Sequence, residues 1–300
     1  MDVAVTGSHG FIGSALIPAL SRAGHHPVRI VRSKAVGGDE LTWDPEAGTI
    51  DAAGLEGIDG VVHLAGAGIG DKRWTDDRKR LIRESRTRGT SLLARTLAEL
   101  TRPPAALVSA SAIGYYGNRG DELLDEESSP GDDFVARVCV QWEASTAPAA
   151  AAGIRVARVR SGIILGRDGG VLPRVLLPFR LALGGRMGTG RQYMSWISIG
   201  DEVGAILHAL TGAGVAGPVN LTGPAPVTNA EFTKTLGHVL RRPTVLPTPL
   251  LPLRARYGSE LVQHLLVEGQ RVLPKGLEAT GYAFQHPTLE DALRAAVDRH

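Results

Sequence analysis

Thr6-Gly7-Ser8-His9-Gly10-Phe11-Ile12-Gly13 is the stretch whose reading decides the fold. The apolar run Val3–Thr6 before it predicts a short strand. Phe11–Ala23 after it predicts a helix that stops at Gly24, with Pro18 interrupting one backbone bond. The glycines recur as G-x-x-G-x-x-G. At a strand-to-helix turn, glycine permits a tight bend, close approach of a pyrophosphate and close packing of helix on strand. The first helical N–H groups then point at the phosphates. Thr6, Gly7, Ser8, Gly10, Phe11, Ile12 and Gly13 are therefore candidate cofactor-binding residues, against the competing reading of a Gly-rich turn with no ligand.

Working outward, apolar strands alternate with amphipathic helices. Strands are expected at Val28–Val31, Val61–Ala65, Ala106–Ser111 and Ile154–Val159, and helices at Asp76–Leu100 and Phe134–Ala152. This alternation predicts an α/β fold: a Rossmann-type doubly wound parallel sheet with helices on both faces and a smaller C-terminal substrate lobe. Residues 1–162 are read as the dinucleotide domain, completed by strands near 194–223, and residues 163–300 as the substrate lobe. In that lobe, helices are expected at Pro173–Leu183 and Asp201–Thr211, and strands at Met194–Ile197 and Val219–Thr222. Thr228-Asn229-Ala230-Glu231 is a capping box that opens a helix to about Arg241. Arg242–Pro252 holds four prolines and reads as an extended connector, and a last helix begins near Leu289.

The second strand ends Val31-Arg32-Ser33, with no acidic residue before Asp39. An acidic side chain there accepts ribose hydroxyls in NAD-binding folds. An arginine instead favours a 2′-phosphate through charge-assisted bonds. Arg32 and Ser33 therefore point to NADP (NADPH) as cofactor, unless Arg32 is a solvated strand-end charge.

Composition bounds the partners. The 300 residues include 33 basic and 31 acidic ones, a net charge of +2, which offers no basic stripe for nucleic acid or an anionic membrane. A hydrophobic fraction of 43% supports a sizeable core, and no apolar run approaches the length of a membrane span. The single Cys139 excludes a disulfide framework, and the nine histidines show no metal-ligand spacing, so no metal is expected. With no signal-like N-terminus, the chain reads as cytoplasmic and acting on a small molecule.

Further motifs carry a resemblance. They are Trp43-Asp44-Pro45, His63-Leu64-Ala65-Gly66, Ser85-Arg86-Thr87-Arg88-Gly89-Thr90, the run Ser109–Gly117, Asp132-Asp133-Phe134, Trp142-Glu143, Ser195-Trp196-Ile197 and Asn220-Leu221-Thr222. With the Thr6–Gly13 loop, the chain resembles the atypical extended short-chain dehydrogenases/reductases of the sugar-nucleotide-epimerase-like "epimerase family". These carry a small uncharacterised C-terminal domain, here about 248–298. The resemblance implies a Rossmann fold, places Leu64, Ala65 and Gly66 at the cofactor and marks Ser111 as the catalytic serine.

It also exposes a departure. The superfamily's usual chemistry uses a tyrosine and a lysine four residues later to move a proton. The five tyrosines are followed at that distance by Arg119, Gly120, Ile197, Leu261 and His286, never by lysine. Phe134 and Val138 occupy the two expected places, and neither transfers a proton. Tyr115 and Tyr116 are the replacement acids to consider, or they pack beneath the loop. Arg86 stands where many relatives have asparagine and is read as a ligand for a substrate anion, or as half of a structural ion pair. Trp196 is read as a stacking surface for substrate, or as core. The acidic run 121–127 is read as a solvated flap, or as a lid offering Glu126 as proton donor; His63 is read as a packing residue near the cofactor. The sequence thus leads to an NADP-dependent oxidoreductase or epimerase-like enzyme on a small oxygenated substrate, or to a non-catalytic NADP(H)-binding regulatory or scaffolding protein.

Overall fold

The computed structural model describes residues 1–33 and 35–297. Its first half runs β1 (Asp2–Thr6), α1 (Phe11–Arg22), β2 (His26–Val31), β3 (Glu40–Asp44), β4 (Thr49–Ile50), β5 (Gly60–His63), α2 (Asp76–Glu99), β6 (Ala106–Ala112), β7 (Leu123–Leu124), α3 (Phe134–Ala144), α4 (Ala147–Ala151) and β8 (Arg155–Ser161). The second half runs β9 (Ile163–Leu165), α5 (Leu172–Arg180), β10 (Tyr193–Met194), β11 (Trp196–Ser198), α6 (Ile199–Thr211), β12 (Gly217–Leu221), β13 (Val227–Thr228), α7 (Asn229–Leu240), α8 (Leu250–Tyr257) and α9 (Ser259–Val262). A π turn at Gln263–Val267, β14 (Arg271–Val272), α10 (Lys275–Ala279) and α11 (Leu289–Val297) follow.

Eight strands form one sheet in the order β12-β8-β6-β5-β1-β2-β3-β4, parallel except for the β3–β4 pairing. The order reverses between β1 and β5, so a crevice opens at their carboxyl ends, where ligands of such sheets bind. Period-two alternation explains the layers. Val3, Val5, Val62, Val108 and Val159 face α1 and α6 in one core, with Leu16, Leu20, Ile206 and Leu210. Ala4, Val61, Leu107 and Val156 face the other way, onto Leu93 and Leu97 of α2 and Ala149 of α4.

Several local expectations change. Pro18 lies within an unbroken α1. The helix expected over Phe134–Ala152 breaks at Ser145–Thr146, where Pro148 enters the first turn of α4 and cannot continue the ladder of α3. The helix expected to Leu183 ends at Arg180, and Ala182 takes φ 59°. The strand expected at Met194–Ile197 is two short strands, β10 pairing with β13 and β11 with β9. The Pro-rich connector gives way to α8 at Leu250. The capping box at Thr228 is present, with Glu231 reaching back to the Thr228 N–H at 2.7 Å.

Candidate functional site

The turn after β1 is built around glycines that no other residue replaces. Gly7 takes φ +67°, and a Cβ there would stand 2.9 Å from the Leu64 carbonyl carbon. A Cβ on Gly13 would stand 2.2 Å from the Gly7 carbonyl oxygen. Helix α1 therefore begins hard against the turn. Its N-cap, Gly10, offers no side chain, and the first turn carries no acidic residue. Its leading N–H groups and positive dipole end stay available for an anion. Ser8 is buried in the turn. The Phe11 ring packs under the loop 166–170, where a Cβ on Gly169 would meet it at 2.4 Å. This cradle suits the pyrophosphate of a dinucleotide.

A buried polar chain fixes the turn to its neighbours. The Thr6 hydroxyl oxygen accepts from the Leu64 and Ala65 N–H groups at 3.1 and 3.2 Å. Its proton then goes to His63 Nδ1, 2.7 Å away. His63 Nε2 therefore carries the ring hydrogen and donates to Thr90 Oγ1 at 2.9 Å, which also accepts from Trp142 Nε1 at 3.0 Å. Burial pushes the His63 pKa down to about 4, so the ring is neutral and the chain keeps this polarity. His63 thus positions the loop Leu64-Ala65-Gly66 against Gly7.

At the end of β2, Arg32 and Ser33 are exposed. Asp39, the first acidic residue beyond them, bonds His26 Nε2 at 3.0 Å and stands at the other end of the strand. Arg86, on α2, donates from one terminal nitrogen to the carbonyls of Ala67 and Ile82 at 2.9 and 3.0 Å. Its guanidinium lies 4.9 Å from the Trp142 ring and against Gly66. No carboxylate pairs with it among the described residues, and burial, with Arg78 nearby, holds its pKa below the ordinary arginine range.

Around Ser111 the structure corrects the sequence reading. Ser111 is buried and its hydroxyl donates to Glu143 Oε1 at 2.7 Å. Glu143 in turn holds Arg160 through two hydrogen bonds. Arg160 donates to the Tyr116 hydroxyl at 2.9 Å, and Tyr116 donates to Asn220 Oδ1 at 2.7 Å. Tyr116 is fully buried, and burial pushes its pKa up to about 12. Tyr116 is therefore no substrate-facing acid, contrary to the sequence expectation: its hydroxyl is sealed between Arg160 and Asn220. Ser111 sits at the expected strand end, but its proton is committed to Glu143. Tyr115 is half-buried, with the Arg160 guanidinium 3.5 Å above its ring. Phe134 and Val138 occupy the places of the missing dyad as packing residues: Phe134 lies against Trp74 and Val138 is buried.

Trp196 is also corrected. It is 1% exposed, and its indole N–H donates to the Ala225 carbonyl at 2.9 Å, so no face is left for a substrate ring. The acidic run is solvated at residues 121–123 and 127, as the flap reading has it, but it is tethered at 123–126 rather than free. Within it, β7 pairs with β14 of the C-terminal domain, and Lys275 pairs with Asp125. Glu126 Oε1 accepts from the N–H groups of Asn220 and Gly276 at 2.9 and 3.0 Å, which occupies the group read as a proton donor.

Glu143 and Arg160 are the central residues that sequence reasoning missed. A signal existed: Arg160 stands in an otherwise apolar strand, beside Val156 and Val159, where a charge needs a buried partner.

Comparison with known proteins completes the picture. Residues 3–221 match the NAD dependent epimerase/dehydratase family, and residues 248–296 match a domain of unknown function, DUF1731. The chain is 46% identical over 297 residues to an epimerase family protein of Mycobacterium bovis, covering 99% of this chain and 98% of that one. It is 39% identical over 300 residues to the epimerase family protein SDR39U1 of Homo sapiens, covering 99% and 100%. A crystal structure of the human protein (isoform 2) with NADPH superposes with TM-score 0.89 and 37% identity over 99% of each chain. A nucleoside-diphosphate sugar epimerase structure from Corynebacterium glutamicum gives TM-score 0.82 and 37% identity over 99% of this chain and 58% of that one. No helix among the described residues is long and apolar enough to cross a membrane. The chain belongs to the NAD dependent epimerase/dehydratase family, as an atypical extended short-chain dehydrogenase/reductase with a NAD(P)-binding Rossmann fold and a DUF1731 domain.

Proposed function

We propose that this protein is an NADP-dependent oxidoreductase or epimerase-like enzyme acting on a small, oxygenated, anionic molecule. The observation that carries the reading is the set of cations around an intact dinucleotide cradle. Arg32 is exposed at the end of β2, placed for a 2′-phosphate, and Arg86 lies partly buried beside Gly66, with no carboxylate paired to it among the described residues. A desolvated cation without a counter-charge is costly, and a bound carboxylate or phosphate relieves it. NADPH in the human relative's structure supports the cofactor choice. When bound, the nicotinamide supplies or accepts hydride. The chain's own part is to hold the phosphates on Gly7–Gly13 and α1, orient the anion at Arg86 and move the proton at Tyr115. Tyr115 takes that role because Tyr116 is sealed and Ser111 is bonded to Glu143.

A second reading is supported by Phe134 and Val138: the protein binds NADP(H) without chemistry and serves as a regulatory or scaffolding module. One experiment separates the two. NADPH and NADH are titrated against wild type and Arg32→Asp by nucleotide fluorescence, and then carboxylated and phosphorylated carbonyl compounds, alcohols and sugar nucleotides are screened for turnover. NADPH preference lost in Arg32→Asp, with turnover lost in Tyr115→Phe, supports the enzyme. Tight NADPH binding with no turnover supports the second reading, and an unchanged NADPH/NADH ratio in Arg32→Asp rejects the cofactor assignment.

A further inference from the structure

We propose that Asp133, His264 and Glu268 form a binding site for a single divalent transition-metal ion, zinc being the best match. The site joins two parts of the chain that are far apart in sequence. Asp133 is the N-cap of α3, next to Phe134, whereas His264 and Glu268 belong to the π turn of the C-terminal domain and its end. One ligand atom from each residue lies within 4.8 Å of the other two. Around a tetrahedral zinc with bonds of about 2.0–2.2 Å, ligand atoms are about 3.4 Å apart. The three groups therefore close on an ion by side-chain adjustment alone.

Each ligand is already oriented by a neighbour, as the outer partners of metal sites do. Asp133 Oδ1 accepts from the Ala136 N–H at 2.8 Å, which leaves Oδ2 for an ion. Glu268 Oε1 accepts from Gln263 Nε2 at 3.1 Å, and Oε2 faces His264 Nδ1 at 2.7 Å. The indole of Trp74 stacks on the His264 ring at 6.1 Å between centroids and limits its rotation. The π turn has a structural part in this. Its i to i+5 bond, Glu268 N–H to the Gln263 carbonyl at 2.9 Å, ends the helix with His264 and Glu268 on the side of Asp133. Single π turns in helices recur at functional positions.

Charge also calls for a cation. Two carboxylates share the site with one imidazole. Among the described residues no lysine or arginine pairs with Asp133 or Glu268, and Glu268 Oε2 meets only the third ligand, His264 Nδ1, at 2.7 Å. The side chains of His264 and Glu268 are 22% and 18% exposed, sheltered enough for the charges to interact strongly yet open to an entering ion. One nitrogen and two oxygens suit zinc, with manganese next, and leave a fourth position for water. A bound ion fastens the C-terminal domain to the N-terminus of α3. This inference stands independently of the proposed activity.

The test uses the full-length protein, stripped of metal by chelator and dialysed. Zinc chloride and, in a second arm, manganese chloride are titrated by calorimetry, and bound metal is counted by elemental analysis. One zinc per chain is expected. His264→Gln and Glu268→Gln, which preserve size, are expected to weaken binding by at least the roughly 10–100-fold that loss of an outer partner costs. Asp133→Asn keeps an N-cap side chain and is expected to weaken zinc while leaving the melting temperature of the metal-free protein close to wild type. His26→Gln, at the exposed Asp2–His26–Asp39 cluster, is the control and leaves the tight site intact. Folded His264→Gln and Glu268→Gln proteins that bind zinc like wild type overturn the proposal, as does wild type that takes up neither metal.

Discussion

Arg160 on β8 and Glu143 on α3 form a bidentate ion pair inside the protein, with Nε–Oε1 at 2.7 Å and a terminal nitrogen to Oε2 at 2.9 Å. The pair is 3% and 6% exposed at its two side chains. It carries Ser111 on one side and Tyr116 on the other, so one buried network spans from β6 to Asn220 on β12. Removing one partner leaves a buried charge unmatched. Arg160→Leu is expected to lower unfolding free energy by about 3–5 kcal/mol. The double variant Glu143→Leu/Arg160→Leu is expected to recover much of that loss, because no charge remains. Urea unfolding of the three proteins checks it, and a double variant as weak as the single one refutes the account.

The glycine turn after β1, proposed to hold the dinucleotide phosphates, is predicted to fail for steric reasons. In Gly13→Ala, the new Cβ must displace the Gly7 carbonyl, which lies 2.2 Å from it. NADPH affinity is expected to fall by roughly tenfold or more, since the N–H groups of α1 leave their alignment. Circular dichroism showing retained helix alongside unchanged NADPH binding would contradict this.

Glu202 supplies a pH dependence. It is buried at the start of α6; Ser161 donates to one carboxyl oxygen at 2.5 Å, and the other has no partner among the described residues. Burial raises its pKa from 4.5 to about 8. The folded protein therefore holds a proton that the unfolded chain releases, and stability declines as pH rises from 4.5 towards about 8. Glu202→Gln removes that decline. Its melting temperature is expected to exceed wild type near pH 8 and to converge with it near pH 5. Parallel melting curves for the two proteins across this window would reject the assignment.

Glu126 makes a separate prediction. Its carboxylate accepts from Asn220 on β12 and Gly276 on α10, and so ties the acidic run to sheet and C-terminal domain together. Glu126→Ala is expected to cost about 1–3 kcal/mol for the N–H groups left unpaired. Amide exchange should accelerate at residues 121–127 and 271–276 and remain slow in β1 and β5. Exchange confined to the substituted residue would show that the run is held by other contacts.

Much of the fold was legible without coordinates because it rests on local periodicity. Val3–Thr6, the glycines at 7, 10 and 13 and the amphipathic α2 each satisfy rules a few residues long, and β–α alternation leaves few topologies. The absent Tyr/Lys dyad was equally readable, since it depends only on which residue stands four places after each tyrosine. The break between α3 and α4 also has a local cause, Pro148 in the first turn of α4.

The chain order of residue types therefore determined the Rossmann architecture, the glycine turn between β1 and α1 and the absence of a tyrosine followed four residues later by lysine. Only the tertiary structure decided which polar groups remain free. Tyr115 and Tyr116 are neighbours in sequence, yet one is half-exposed and the other sealed by Arg160 and Asn220. Trp196 became core, Glu126 became a backbone anchor, and Asp133 met His264 and Glu268. The reason is physical: solvation and pairing of a side chain depend on partners brought together by the sheet and the C-terminal domain, at separations no sequence window spans.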